Sequence, residues 1–261
     1  MPAPLNDRLG ELLDENQVLY GMICRDATRT DIELLAQAGY HIAWIDLEHS
    51  HQSSGQALEL CRTASHLGMV PLVRMIELSR THVQRLLDGG ADIVALPDVR
   101  SAAEARHLAR LSKFPPLGER GVASSVTGTG YTLMPDPQER LRQANEATHL
   151  MAMIETDTAY QQLDELLAID AIDLLSVGPM DWGVSLGLFG DEARTHLAPK
   201  IEHVLKAGTA AGKIIGWGVG DPQQAAHYRD LGMRLFFLGP DVGIKYRVFN
   251  ETIDLYRTQL G

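Results

Sequence analysis

Short apolar runs alternate with helix-patterned stretches along the whole chain, and no other feature limits its fold so tightly. Residues 18–23 read as a first strand and 28–38 as the helix behind it, closed by Gly39 as a C-terminal cap. Strands follow over about 41–46, 69–74 and 92–96. Between them lie helices over 54–67, which stops at Gly68, and 79–88, which ends at Gly89-Gly90. A helix over 101–111, a loop over 112–136 and a helix near 137–147 lead to a fifth strand ending at Glu155. Next come a helix over 157–168 and a sixth strand running from Ile172 to the turn Gly178-Pro179-Met180-Asp181. A helix near 195–211, strands over 214–219 and 235–238, and a final helix over about 241–258 complete the pattern.

Strand–helix–strand crossovers join parallel strands with one hand of connection. Eight evenly spaced units favour closure into a TIM (β/α)8 barrel over a doubly wound open sheet. The 261 residues suit one such domain, with no linker inside it. Apolar residues make up 45% and aromatic residues 6%, which fits parallel strands packed with Leu, Ile and Val. The Pro- and Gly-rich stretch 112–136 is expected as an insertion on the strand-end side, where long loops usually serve function.

The net charge of −11 argues against nucleic acid as a partner, because phosphate binding needs a basic face. Cys24 and Cys61 form neither a CxxC nor a zinc spacing, which points to a reduced, cytoplasmic setting. No apolar run reaches the length of a membrane span, and the first ten residues lack the apolar centre of a signal peptide. Nucleotide fingerprints of the GxGxxG and GxxxxGK[ST] kinds are absent.

In a barrel of this kind the chemistry sits at the C-terminal ends of the strands. Glu155 and Asp181 end neighbouring strands. They either cap the helices that follow or hold a hard divalent ion between them. Arg74 closes the strand Val70-Pro71-Leu72-Val73; its fork either clamps a substrate oxygen that gains charge or bridges a rim carboxylate. His49, three residues past Asp46, is either a proton carrier whose imidazole Asp46 holds or a surface histidine like His51. The turn Gly178-Pro179-Met180-Asp181 is either an anion nest or an ordinary turn. No lysine ends a strand, which argues against Schiff-base chemistry.

Trp44-Ile45-Asp46-Leu47-Glu48-His49, Pro71-Leu72-Val73-Arg74, Leu86-Leu87-Asp88-Gly89-Gly90-Ala91, Pro115-Pro116-Leu117-Gly118-Glu119-Arg120-Gly121-Val122, Met153-Ile154-Glu155-Thr156 and Val177-Gly178-Pro179-Met180-Asp181 together resemble the HpcH/HpaI aldolase/citrate lyase family over residues 18 to 247. The resemblance implies a TIM-barrel class II aldolase that joins a pyruvate-type 2-oxo acid (pyruvate or hydroxypyruvate) to an aldehyde, with Mg, Mn or Co as cofactor. It implies metal ligands Glu155 and Asp181, Arg74 on the 2-oxo oxygen, and His49 with Asp46 as an acid/base dyad. Met180 and Asp181 would receive the substrate carboxylate through backbone. Asp88 would reach a neighbouring subunit's site, in hexamers built as trimers of dimers with exchanged C-terminal helices. Two positions depart from the family pattern. Met153 stands where a Gln is common, and Trp182-Gly183 where Leu-Ser is common, so Met153 and Trp182 are expected at the substrate pocket. Other functions that such a chain could carry are a CoA-ester lyase of the citrate-lyase type, an enolate-forming decarboxylase or cyclase, and a non-catalytic structural barrel.

Overall fold

The computed structural model describes residues 5–260; residues 1–4 and 261, which the readings of a single domain and of the first ten residues include, lie outside it. Eight strands are all parallel: β1 (Leu19–Cys24), β2 (Ile42–Asp46), β3 (Val70–Arg74), β4 (Ile93–Leu96), β5 (His149–Ile154), β6 (Leu174–Val177), β7 (Ile214–Gly218) and β8 (Leu235–Pro240). They close in sequence order, with β8 pairing back onto β1, into the expected (β/α)8 barrel. The helices in chain order are α1 (Arg8–Glu15), α2 (Arg29–Gln37), α3 (Ser54–His66), α4 (Arg80–Asp88), α5 (Ala102–Ser112), α6 (Pro137–Glu146), α7 (Asp157–Gln161), α8 (Leu163–Leu167), α9 (Pro179–Ser185), α10 (Gly190–Ala210), α11 (Pro222–Asp230) and α12 (Asp241–Leu260). Among the described residues no helix is long and apolar enough to cross a membrane.

Local chemistry sets the helix ends. Thr28 with Asp31, and Ser53 with Gln56, form reciprocal capping boxes that open α2 and α3. Gly39 and Gly68 close those two helices at φ values of +88° and +80°, where a side chain would be strained.

The strands alternate between two cores. Ile42 and Trp44, Val70 and Leu72, Met151 and Met153, and Leu174 fill the barrel interior. Ala43, Ile45, Val73, Leu150, Ala152 and Leu175 face the helices. Inside, Trp44 stands edge-on to Phe237 at 4.6 Å. Gly21 makes room for that pair, since a Cβ there would lie 2.5 Å from the Phe237 ring. The same two-residue period carries Asp46, Arg74 and Glu155 to the inner side of the mouth, above Trp44, Leu72 and Met153.

Several elements depart from the sequence reading. Helices α1 and α11 fall outside it; α1 sets Leu9, Leu12 and Leu13 at helical spacing, and α11 has only a weak apolar pattern. Helix α1 plugs the N-terminal end of the barrel: Leu9 joins the interior core, Arg8 Nη1 lies 3.0 Å from Asp92, and His149 Nε2 lies 2.7 Å from Asp7 Oδ1. Arg234 donates to the carbonyls of Leu13, Asn16 and Gln17, which end the plug. The helix expected over 157–168 divides at Gln162.

The long insertion lies on the face opposite to the expected one. Helix α5 follows β4 at once and returns the chain to the N-terminal face before residue 113, so the insertion packs under the barrel. There Gly128 sits against the Leu87 carbonyl too closely to admit a side chain. The last helix, α12, leaves Tyr246, Phe249, Ile253, Tyr256 and Leu260 exposed at spacings of three and four.

Candidate functional site

Asp46 anchors the mouth. Its carboxylate is fully buried and accepts from Arg74 Nε at 2.9 Å, from Arg74 Nη2 and from Arg25 Nε at 3.2 Å. It also accepts the backbone N–H groups of Glu48 (3.1 Å) and His49 (3.2 Å). Burial alone would raise its pKa, but the Arg74 guanidinium outweighs burial and holds it below the usual carboxylate range. Arg74 is itself buried, with Nη1 3.0 Å from Glu48 and its guanidinium 5.9 Å from the Trp44 ring. The bridge to rim carboxylates is the contact the structure shows. One edge of the fork is bound to Asp46, while N–H groups remain on Nη1 and Nη2 for an incoming oxygen.

The expected contact between Asp46 and the His49 imidazole takes another form. Asp46 reaches His49 through the backbone N–H, because Arg74 occupies the carboxylate. The imidazole is 49% exposed, and its Nε2 lies 3.8 Å from Glu48. Glu48 thus joins the mouth between Arg74 and His49.

Neither Glu155 nor Asp181 caps a helix. Thr156 caps α7, and Asp181 lies inside the first turn of α9, where the N-cap Gly178 makes no side-chain bond. Glu155 is buried, and its Oε2 accepts the Asp98 N–H at 2.9 Å. To deliver that N–H, Asp98 adopts φ +43°, unusual for a residue with a side chain. Glu155 Oε1 is buried with no hydrogen-bond partner. A Cβ on Gly178 would lie 2.5 Å from that oxygen, so glycine there makes room for the carboxylate itself. Burial, with the charges of Asp181 and Glu48, pushes the Glu155 pKa to about 7 against the Asp98 N–H and Arg74.

An unpaired buried carboxylate oxygen beside a second carboxylate suits a hard cation. Among the described residues no group of three or more His, Cys, Asp or Glu side chains stands at ligating positions. An ion here would draw two protein carboxylates, and its other oxygens would come from water and substrate, in the manner of Mg.

The remaining candidates divide. Met153 is buried in the interior core directly below Glu155 and beside Ser176 in register. Met180 is 81% exposed at the rim. Trp182 is turned away from the mouth: it is fully buried, donates Nε1 to Asp157 at 2.7 Å and packs against Tyr160 and Lys200. Successive residues of a helix point about 100° apart, so one residue after Asp181 already faces the outer layer. It has no surface to offer a substrate.

Asp88 ends α4 at the N-terminal face. It accepts from Arg120 Nη2 at 2.9 Å and from Gln84 at 3.1 Å. The Arg120 side chain is only 1% exposed and stacks on Phe114 at 4.5 Å. Glu48 and Asp98 lie just past strand ends, and the sequence reading assigned neither of them a role. The acidic residue two past Asp46 was a usable signal for Glu48. Nothing in the sequence marks the backbone of Asp98.

The family model of the HpcH/HpaI aldolase/citrate lyase matches residues 20–246. A hydroxypyruvate/pyruvate aldolase of Paraburkholderia phytofirmans is 32% identical over 98% of each chain. A 2-keto-3-deoxy-L-rhamnonate aldolase of Salmonella gallinarum is 28% identical over 99% of this chain and 96% of its own. A solved structure from Burkholderia cenocepacia, described as a protein of that family, is 30% identical over 97% of this chain and 100% of that one, with a TM-score of 0.86.

Proposed function

This chain belongs to the HpcH/HpaI aldolase/citrate lyase family, and from that premise we propose that it is a divalent-metal-dependent aldolase. It makes or breaks the C–C bond between a pyruvate-type 2-oxo acid, pyruvate or hydroxypyruvate, and an aldehyde. The observation that carries this reading is the unpaired, buried Glu155 Oε1, packed against Gly178 and within reach of the Asp181 charge. Glu155 and Asp181 would hold Mg, Mn or Co. Such an ion, when bound, supplies Lewis acidity at the 2-oxo oxygen.

The chain's own groups account for the rest. Asp46 locks one edge of Arg74, so the free N–H groups are already aimed when negative charge develops on the 2-oxo oxygen. The half-exposed His49 imidazole carries the proton to and from the aldehyde oxygen. The first turn of α9, at Met180 and Asp181, offers backbone N–H groups to the substrate carboxylate.

Asp88, held by Arg120 on the far face, serves the mouth of a neighbouring subunit in a hexamer built from dimers. Two features support exchange of α12 in that assembly: its exposed apolar stripe, and a groove of about 420 Å³ at Tyr20, Ala225 and Leu238. We read the chain as one barrel domain, and the buried free thiols of Cys24 and Cys61 suit the reducing cytoplasm. The test is chelation. Metal-stripped enzyme should cleave or form no aldol product from pyruvate or hydroxypyruvate, and Mn, Mg or Co should restore it. Full activity without metal would sink the proposal.

A further inference from the structure

A cavity of about 890 Å³ lies beside the mouth, between α9, α10 and α11. It starts at Pro179 and Met180, next to the Gly178–Asp181 turn, and at Gly218, the last residue of β7. Gly218 also belongs to the barrel mouth: a Cβ there would meet Ile23 at 3.9 Å. At that strand the Gly218 backbone lies between the cavity and the Ile23 side chain, and the cavity meets the mouth at Pro179 and Met180. Val184, Phe189, Leu197, Trp217 and Tyr228 line its length, and the flexible Met180 forms the lip.

The charges at its edge are already matched. Arg194 bridges to Asp191, while Glu202 takes Lys206 at 3.0 Å and His227 at 3.3 Å. Among the described residues an anionic tail would compete with Asp191 and Glu202 for the cations here, and a polyhydroxylated one would meet mainly apolar walls.

We propose that this groove receives the non-reacting tail of the acceptor aldehyde, and that the enzyme prefers aldehydes with an apolar alkyl or arylalkyl tail. The inference rests on the aldolase reading and deepens it. In the reaction C3 loses a proton to give the enolate and bonds to the aldehyde carbon, the C=O π pair moves to the aldehyde oxygen, that oxygen takes up one proton, and the tail is unchanged. Burial of each added methylene multiplies kcat/KM by roughly three to four until the groove is full.

The test is a series of straight-chain aldehydes from acetaldehyde to heptanal with pyruvate and Mn, run on the wild type and on Ala198→Trp. Ala198 lies exposed on α10 along the groove, so the indole fills the groove without disturbing the core. The expected result is a rising series in the wild type and a flat one in the variant, with acetaldehyde turnover unchanged. Acetaldehyde turnover with a flat wild-type series overturns the groove assignment alone, as does a variant that keeps the slope. A variant that changes oligomeric state in size-exclusion chromatography gives the groove to a second copy of the chain and overturns it too. No turnover with any aldehyde, whether pyruvate or hydroxypyruvate is the nucleophile, overturns the aldolase reading and this one with it.

Discussion

Replacing Gly178 with alanine should weaken metal binding without unfolding the barrel. The new Cβ would stand 2.5 Å from Glu155 Oε1, 2.7 Å from Cγ and 2.9 Å from Cδ. Favourable contact begins near ~3.5 Å, so the carboxylate must retreat by about 1 Å. It cannot do so freely, because Oε2 is tied to the Asp98 N–H at 2.9 Å. Either that bond is lost or Oε1 leaves its place against Gly178. A hydrogen bond to a charged group is worth roughly 1.5–3 kcal/mol, which corresponds to about a tenfold to hundredfold loss of affinity. Backbone strain does not contribute, since Gly178 has φ −103° and alanine accepts that conformation. Mn titration followed by electron paramagnetic resonance of the free ion reads the affinity, and thermal unfolding checks the fold. Unchanged Mn affinity in a folded Gly178→Ala protein would refute the assignment of Glu155 Oε1 as a ligand atom.

Other substitutions probe the remaining groups. Arg74→Lys keeps a charge but loses the fork; it should lower kcat by roughly a hundred- to a thousandfold, and near-normal turnover would count against the oxyanion role. It should also lower the Tm, because Asp46 is left with a poorer partner in a buried site. Burial would lower the His149 pKa, but Asp173 and Asp7 overcome it and raise it to about 9. The stabilisation that follows is fully present below pH ~6.5, amounts to at most about 3 kcal/mol, and is lost as pH rises through 9. Tm should therefore fall between pH 7 and 9 in the wild type more steeply than in His149→Gln; parallel curves would show that this contact does not stabilise the plug. Met153→Gln should shift the kcat/KM ratio from pyruvate towards hydroxypyruvate, measured against one aldehyde, and an unchanged ratio removes Met153 from selectivity. Asp88→Asn should cut turnover of the assembled oligomer while Arg120 keeps a hydrogen-bond acceptor, and a fully active monomer would contradict the shared site.

The sequence alone determined the eightfold repeat, the strand ends and most of the polar residues that meet at the mouth. The reason is geometric. A strand has a period of two, so Trp44 and Asp46, Leu72 and Arg74, and Met153 and Glu155 must share a face, and parallel strands must send those faces to one end. What lies beyond the regular elements followed another rule. The insertion at 113–136 is a loop in either reading, but only the prompt return of α5 puts it under the barrel. Trp182 follows a rim carboxylate in sequence yet packs against Asp157 and Tyr160, because a helix turns neighbours to different sides. Helix α1 turns Leu9, Leu12 and Leu13 to the interior core, but its seat under the barrel is fixed by Asp92, His149 and Arg234, which arrive from distant strands. Which partner Asp46 takes, and which backbone N–H fixes Glu155, are likewise contacts between separate strand ends. They are decided by where closure of the barrel brings those ends together, since pairwise distance is not encoded in local periodicity.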